Sequence, residues 1–228
     1  MSIYDNADYI EECLDSIHNQ TYFKDKENKF QILVSVDGCQ KSWRKINEIK
    51  EKYTNLEAYN LYPNVGAFVS LNTILPHVRY ENILIFGADD VLYEDALERL
   101  YKVEEDYDVI KFRYKEFKGS IDNITLIRNW HALGAILIKK KVFDMCGGFH
   151  ENRFSSDFEL MTRISKFVKI LNLDEFIFYY RTHDKSLTST VDRRVRANFD
   201  RMVNETKYTM DNIKIDPVIG KIWDKFST

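Results

Sequence analysis

Along the first half of the chain, short apolar runs alternate with patterns at helical spacing. Ile10, Cys13, Leu14 and Ile17 mark the buried face of a first helix, with Asn6 placed to cap it and Glu11 and Glu12 adding early negative charge. Phe30 to Val36 is mostly apolar rather than alternating, which predicts a strand covered on both faces, and it ends on Asp37-Gly38. Ser42 is placed to cap a helix carrying Trp43, Ile46, Ile49 and Tyr53. A short strand around Leu56 to Leu61 follows, then the turn Pro63-Asn64-Val65-Gly66 and a helix through Leu71, Ile74 and Leu75. Asn82 to Phe86 reads as another buried strand, stopping at Gly87-Ala88-Asp89-Asp90. A helix with Ala96, Leu97, Leu100 and Val103 and a strand from Val109 to Tyr114 complete this half. Strands alternating with helices predict a parallel α/β sheet.

The second half is less regular. Gly134 to Ile138 reads as a strand, and Val142 to Cys146 as a short helix ended by Gly147-Gly148. Asp157 to Ile164 reads as a helix with Leu160, Met161 and Ile164 inward. Val168 to Leu171 and Phe176 to Tyr180 read as strands. From about Val191 the pattern is helical and amphipathic, with Phe199, Met202 and Val203 at suitable spacing.

Composition narrows the class. The 228 residues suit one domain, or one domain with a small appendage. The 15 Phe and 14 Tyr supply large side chains for a core. A net charge of −3 lacks the basic signature of a general nucleic-acid binder. Local basic clusters stand at Lys139-Lys140-Lys141 and around Arg193-Arg194-Val195-Arg196, either solvated surface or a patch for a phosphorylated or membrane-surface partner. Cys13, Cys39 and Cys146 are odd in number, widely spaced and without metal-ligand spacing, so a reduced cytosolic setting is expected. Met1 to Asp5 has no signal-peptide character, and no apolar run approaches membrane-span length.

In an open α/β sheet, ligands bind beyond the carboxyl ends of the strands, where Asp37 and the pair Asp89/Asp90 fall. Two adjacent carboxylates repel unless neutralised, and a divalent cation does so while also holding a diphosphate. The alternative is a helix start, with Asp89 or Asp90 as cap and Glu94 and Asp95 in the first turn. Asp37-Gly38 is either an ordinary turn or a carboxylate set to accept a nucleobase N–H. Asp157 is a helix cap or a general base, and His183 a structural histidine or a ligand. Trp130, His131 and Phe154 are either acceptor-side or core aromatics.

Taken in order, these segments resemble the inverting family 2 glycosyltransferases of the GT-A fold, over roughly residues 3 to 187. Tyr4-Asp5-Asn6 with the helix after it, and Gln20-Thr21-Tyr22, resemble the family's opening. Val36-Asp37-Gly38 looks like its nucleobase-binding strand end, and Asn64, Gly66 and Asn72 match its third-helix motif. Phe86 to Leu92 resembles the DxD-type metal motif. Gly147 to Glu151, then Ser156 to Leu160 with Arg163, look like the GGF-x-E and acidic-base segments; Arg181-Thr182-His183 with Ser186 resembles the late histidine motif. Two departures stand out. The family usually opens with a full apolar strand, and here Met1, Ser2 and Ile3 alone precede Tyr4. Gly87 occupies the position of the usual first acid of the metal motif.

The resemblance implies a Rossmann-like mixed sheet flanked by helices over residues 1–190, with a nucleotide-binding half to about 115, an acceptor half from about 116 to 190, and a helical extension over 191–228. It implies a nucleoside diphosphate sugar donor, a UDP-sugar in the first instance, and Mn²⁺ or Mg²⁺ as cofactor. Tyr4, Asp37, Asn64, Gly66, Asp89, Arg181 and Lys185 would contact the nucleotide, with Asp37 on the base and Arg181 or Lys185 on phosphate. Asp89, Asp90 and His183 would hold the metal, and Asp157 would deprotonate an acceptor hydroxyl, on a glycan by default. The alternatives are a catalytically silent binding or partner subunit, and a transferase acting on a modified nucleic-acid base. Location is expected to be cytoplasmic, with a peripheral membrane setting as its variant.

Overall fold

The structure, a computed structural model, describes residues 1–23, 30–129, 135–184 and 192–227. In chain order the elements begin β1 (Ser2–Ile3), α1 (Ile10–His18), β2 (Ile32–Asp37), α2 (Gln40–Ile49), β3 (Leu56–Leu61) and α3 (Ala67–Ile74). Next come β4 (Asn82–Ile85), β5 (Val91–Leu92), α4 (Ala96–Tyr101), β6 (Val109–Lys118), β7 (Ser120–Arg128) and β8 (Ile136–Lys139). They end with α5 (Lys140–Cys146), α6 (Ser156–Ile164), β9 (Ile170–Arg181), α7 (Arg193–Glu205) and β10 (Ile222–Ser227). The mixed α/β architecture implied by the resemblance is present; of the parallel sheet expected from the alternation, β1, β2 and β3 are parallel, whereas β4 lies in a second sheet and pairs antiparallel with β8.

The strands form two sheets. The first has the order β1-β2-β3-β10, with β1, β2 and β3 parallel and β10 antiparallel on β3. The second runs β4-β8-β6-β9-β5, with β7 hairpinned onto β6. β6 and β9 pair in parallel from Val109 opposite Ile170 to Phe117 opposite Arg181. One core packs α1, β2 and α2 against Phe86, Phe112 and Phe178; the other gathers α3, β8, α5 and α6 around Phe143, Phe149 and Leu160.

Several local expectations change. Asn6 does not cap α1 with its side chain: Tyr9 precedes the helix, and the Asn6 Oδ1 accepts the Tyr4 N–H instead. α2 starts at Gln40 after Cys39, so Ser42 lies inside it. The two late strands are one, β9: pairing with β6 resumes across a bulge at Asp174 and Glu175, with Leu173 opposite Phe112 and Phe176 opposite Arg113. Among the described residues the C-terminal region is helical only over α7; residues 222–227 are strand because β3 offers them an open edge.

Candidate active site

β2 delivers Asp37 into a tight backbone turn. Val65 N–H donates to its Oδ1 at 2.7 Å; Gly66 N–H and Asn64 Nδ2 donate to its Oδ2 at 2.8 Å each. Gly38 and Gly66 have φ of +73° and +95°, and a Cβ on Gly38 would stand 2.6 Å from the Asn64 nitrogen, so the close approach needs glycine. Asp37 is 1% exposed, and burial raises its pKa despite these bonds. An ionised carboxylate offers about four acceptor positions, so three donors leave about one. Tyr4, by contrast, is a largely exposed ring just past β1.

The acidic pair divides. Asp89 and Asp90 are separated from α4 by β5, and Asp95 is the residue that precedes the helix, so the pair is not a helix start. Asp90 is 1% exposed and turned inward, accepting the Arg181 backbone N–H at 2.9 Å; burial and the neighbouring Asp89 charge push its pKa well up. Asp89 is partly exposed and meets His183 Nε2 at 2.8 Å. Gly87 fits this arrangement: a Cβ there would lie 2.5 Å from Asp90 Oδ2. The inward carboxylate of Asp90 occupies the room that an acid at position 87 would need.

Arg181, expected on phosphate, is 5% exposed and its donors are engaged. Nε donates to the Asp89 carbonyl at 2.8 Å, one terminal nitrogen to the Gly119 carbonyl at 3.1 Å, and the other to Glu12 at 2.5 Å. Its guanidinium lies over the rings of Tyr9 and Phe117, and the Tyr9 ring packs on His183 with centroids 5.1 Å apart. Lys185, Ser186, Trp130 and His131 lie outside the described residues.

Asp157 opens α6. Its Oδ1 accepts the Phe158 N–H at 2.8 Å, and burial raises its pKa against that bond and the nearby Arg196. Ser155 before it holds φ of +54°, a left-handed conformation that costs a non-glycine residue on the order of 1–3 kcal/mol. Ser155 Oγ, Asn152 Nδ2, His150 Nδ1 and His183 Nδ1 are buried without a hydrogen-bond partner among the described residues.

The loop before Asp157 is anchored on two sides. Asn72 pairs with the Phe149 backbone, donating to its carbonyl at 2.8 Å and accepting its N–H at 2.9 Å. Arg153 donates to the Asn64 side-chain oxygen at 3.1 Å, so this loop touches the turn that holds Asp37. Phe154 packs edge-on against Phe199 of α7. Arg163 is a buried brace: it pairs with Glu159 and donates to the carbonyls of Cys146, Gly148 and Ile213. Sequence reading missed Glu12, Tyr9 and Arg153, whose partners are remote along the chain. Ser155 it also passed over, since nothing in Phe154-Ser155-Ser156 signals a positive φ.

The sequence model of the family "Glycosyl transferase family 2" matches residues 1–160. The chain belongs to that family. Among curated family proteins, it is 31% identical over 105 residues to the poly(ribitol-phosphate) beta-glucosyltransferase of Bacillus spizizenii, covering 46% of this chain and 16% of that one. It is 28% identical over 148 residues to the poly(ribitol-phosphate) beta-N-acetylglucosaminyltransferase TarP of Staphylococcus aureus, covering 63% and 44%. The chain thus spans less than half the length of these relatives. Two solved structures show the same GT-A fold at 17% identity. Staphylococcus aureus TarS 1-349 in complex with UDP-GlcNAc has a TM-score of 0.67, covering 84% of this chain and 60% of that one. The mannosyltransferase PcManGT from Pyrobaculum calidifontis, in complex with GDP-Man and Mn²⁺, has a TM-score of 0.70, covering 91% and 64%. In the described residues no helix is long and apolar enough to cross a membrane.

Proposed function

We propose that this family 2 protein is a divalent-metal-dependent inverting glycosyltransferase, moving a sugar from a nucleoside diphosphate donor to an acceptor hydroxyl. The observation that carries it is the Asp89–His183 contact at 2.8 Å, one carboxylate and one imidazole at the carboxyl end of a strand, both partly exposed. Two such ligands fit Mn²⁺ or Mg²⁺ when diphosphate oxygens and water complete the shell; the imidazole favours Mn²⁺. Among the described residues no cluster of three or more His, Cys, Asp or Glu could hold a metal without help from substrate. The metal, when bound, would neutralise charge on the departing diphosphate.

In this reading Asp37 takes a nucleobase N–H, that of uracil in a UDP-sugar, on its remaining acceptor position. Asp157 takes the proton of the acceptor hydroxyl. That oxygen then forms the new bond to the anomeric carbon as the bond to the diphosphate oxygen breaks, and the nucleoside diphosphate leaves with the electron pair, inverting the centre. The upward pKa of Asp157 suits a base. Asp90 and Arg181 position Asp89 without touching substrate. Relatives named for poly(ribitol-phosphate) support a hydroxyl of such a polymer as acceptor.

Calorimetry with UDP and GDP, with and without Mn²⁺, tests the donor half. Metal-enhanced binding of either is expected, and no binding to both under both conditions would sink the reading. NMR of the product anomer tests inversion.

A further inference from the structure

We propose that Tyr9 is a positioning residue of the metal site: its ring holds the His183 imidazole in the orientation that turns Nε2 toward Asp89. The inference rests on the reading of Asp89 and His183 as metal ligands and adds the group that aims one of them.

The chain around His183 offers little else to do this. β9 ends at Arg181, and Thr182 is pinned twice to the Phe117 carbonyl, by its N–H at 2.9 Å and by its hydroxyl at 3.0 Å. The backbone before His183 is thereby fixed, and the side-chain torsions decide where the ring nitrogens point. Nε2 lies 2.8 Å from Asp89 Oδ2, so it is the nitrogen that a shared ion would use, and Nδ1 then carries the proton. In most metal-binding histidines a hydrogen bond from that second nitrogen fixes the ring. Here Nδ1 is buried and has no partner among the described residues. The Nε2–Asp89 contact cannot take over this task, because an ion shared by the two replaces it. What remains is the Tyr9 ring, tilted 35° to the imidazole with centroids 5.1 Å apart.

Tyr9 is itself held. It directly precedes α1; its N–H donates to the Asn6 carbonyl at 3.0 Å, and its carbonyl accepts the Cys13 N–H at 3.1 Å. The Arg181 guanidinium lies over its ring, 4.8 Å from the centroid. Glu12, three residues on and so on the same side of the helix, takes that guanidinium in an ion pair. Arg181 Nε in turn donates to the Asp89 carbonyl at 2.8 Å. Tyr9 thus touches one metal ligand directly and reaches the other through Arg181.

The test compares Tyr9→Phe, which keeps the ring, with Tyr9→Leu and Tyr9→Met, which replace it by an apolar chain; either of the latter serves if the other does not fold. Carbon-13 relaxation of the His183 ring is read first, without metal or nucleotide, in an Asp89→Ala background that removes the contact between the ligands. The ring is expected to be as ordered with Phe at position 9 as with Tyr, and more mobile with Leu or Met. Unchanged order with Leu or Met overturns the proposal. UDP affinity is then measured by calorimetry with Asp89 in place, with and without Mn²⁺. Without metal the variants are expected to match the wild type. With Mn²⁺, Tyr9→Leu loses about tenfold, the scale of disturbing a ligand's support, while Tyr9→Phe stays close to the wild type. In a His183→Ala background, Tyr9→Leu costs nothing further. A loss of the same size in that background, or an equal loss in Tyr9→Phe, overturns the proposal, because Tyr9 then acts elsewhere. A wild type whose UDP affinity ignores Mn²⁺ counts against the metal reading instead, and ring order alone still decides whether Tyr9 aims His183.

Discussion

His183 Nε2 lies 2.8 Å from Asp89 Oδ2, across 94 residues of sequence, and the Tyr9 ring packs against the imidazole. The contact exists because β5 and β9 pair antiparallel, Val91 opposite Tyr179, which brings the residues just before one strand to those just after the other. If the pair holds the metal, His183→Ala lowers Mn²⁺-dependent UDP affinity by about 10–100-fold, the scale of disturbing a metal site. Metal-free UDP binding changes little. Titration calorimetry with and without Mn²⁺ reads both numbers, and equal losses in the two conditions would remove His183 from the metal site.

Asp157→Asn should cut kcat by about 10²–10⁴, the usual worth of a positioned base, while UDP affinity stays constant. The wild-type rate should also carry an acidic limb. Because burial raises the Asp157 pKa, the carboxylate protonates at a higher pH than an ordinary aspartate does as pH falls, and activity drops there. A rate profile flat through that range, or transfer surviving in the variant, would assign the base elsewhere.

At position 87 even a methyl group meets the Asp90 carboxylate at 2.5 Å, and that carboxylate is held by the Arg181 N–H. Gly87→Ala is expected to destabilise by about 1–3 kcal/mol through overpacking, and Gly87→Asp by more because a second charge arrives beside Asp90. Combining Gly87→Ala with Asp90→Ala should cost less than the sum of the two single changes. Denaturant unfolding measures all of these, and strict additivity would mean that the two side chains do not compete for space.

Arg163→Ala should be the most damaging of these changes to stability, by about 3–5 kcal/mol, because it leaves Glu159 charged and buried without its partner. Three backbone carbonyls lose their donor as well. A loss under 1 kcal/mol in urea unfolding would show that water replaces the guanidinium. Arg163→Lys should recover only part, since an ammonium does not reproduce the planar fork that serves Glu159 and the carbonyls together.

The first half of the fold was legible because β2 and β4 are largely apolar runs and each of β2, β3 and β4 is followed by helical spacing. β7 was not: all nine residues from Ser120 to Arg128 are exposed, so no buried face marks it and its strand state comes from pairing with β6. β10 was hidden for a similar reason, since Asp224 and Lys225 interrupt its apolar residues and β3 supplies the pairing from far along the chain. In the site, positions were readable but roles were not. Asp89 and Asp90 are chemically identical neighbours, and only the path of β5 against β9 turns one outward and buries the other. Arg181 looked like a phosphate ligand because its partners Glu12 and Gly119 are 169 and 62 residues away.

The pairing of β10 with β3 bears on how the chain acquires this shape. The other three strands of that sheet lie within the first 61 residues, yet its fourth is residues 222–227. During synthesis the earliest strands emerge first, and β3 waits with an unprotected edge until some 160 later residues have been made (Leu61 pairs with Ile222). Such a wide separation between paired residues slows folding and lengthens the time in which a bare strand edge is open to aggregation. Expression yield should therefore respond more sharply to changes at residues 222–225 than their exposed positions alone would suggest.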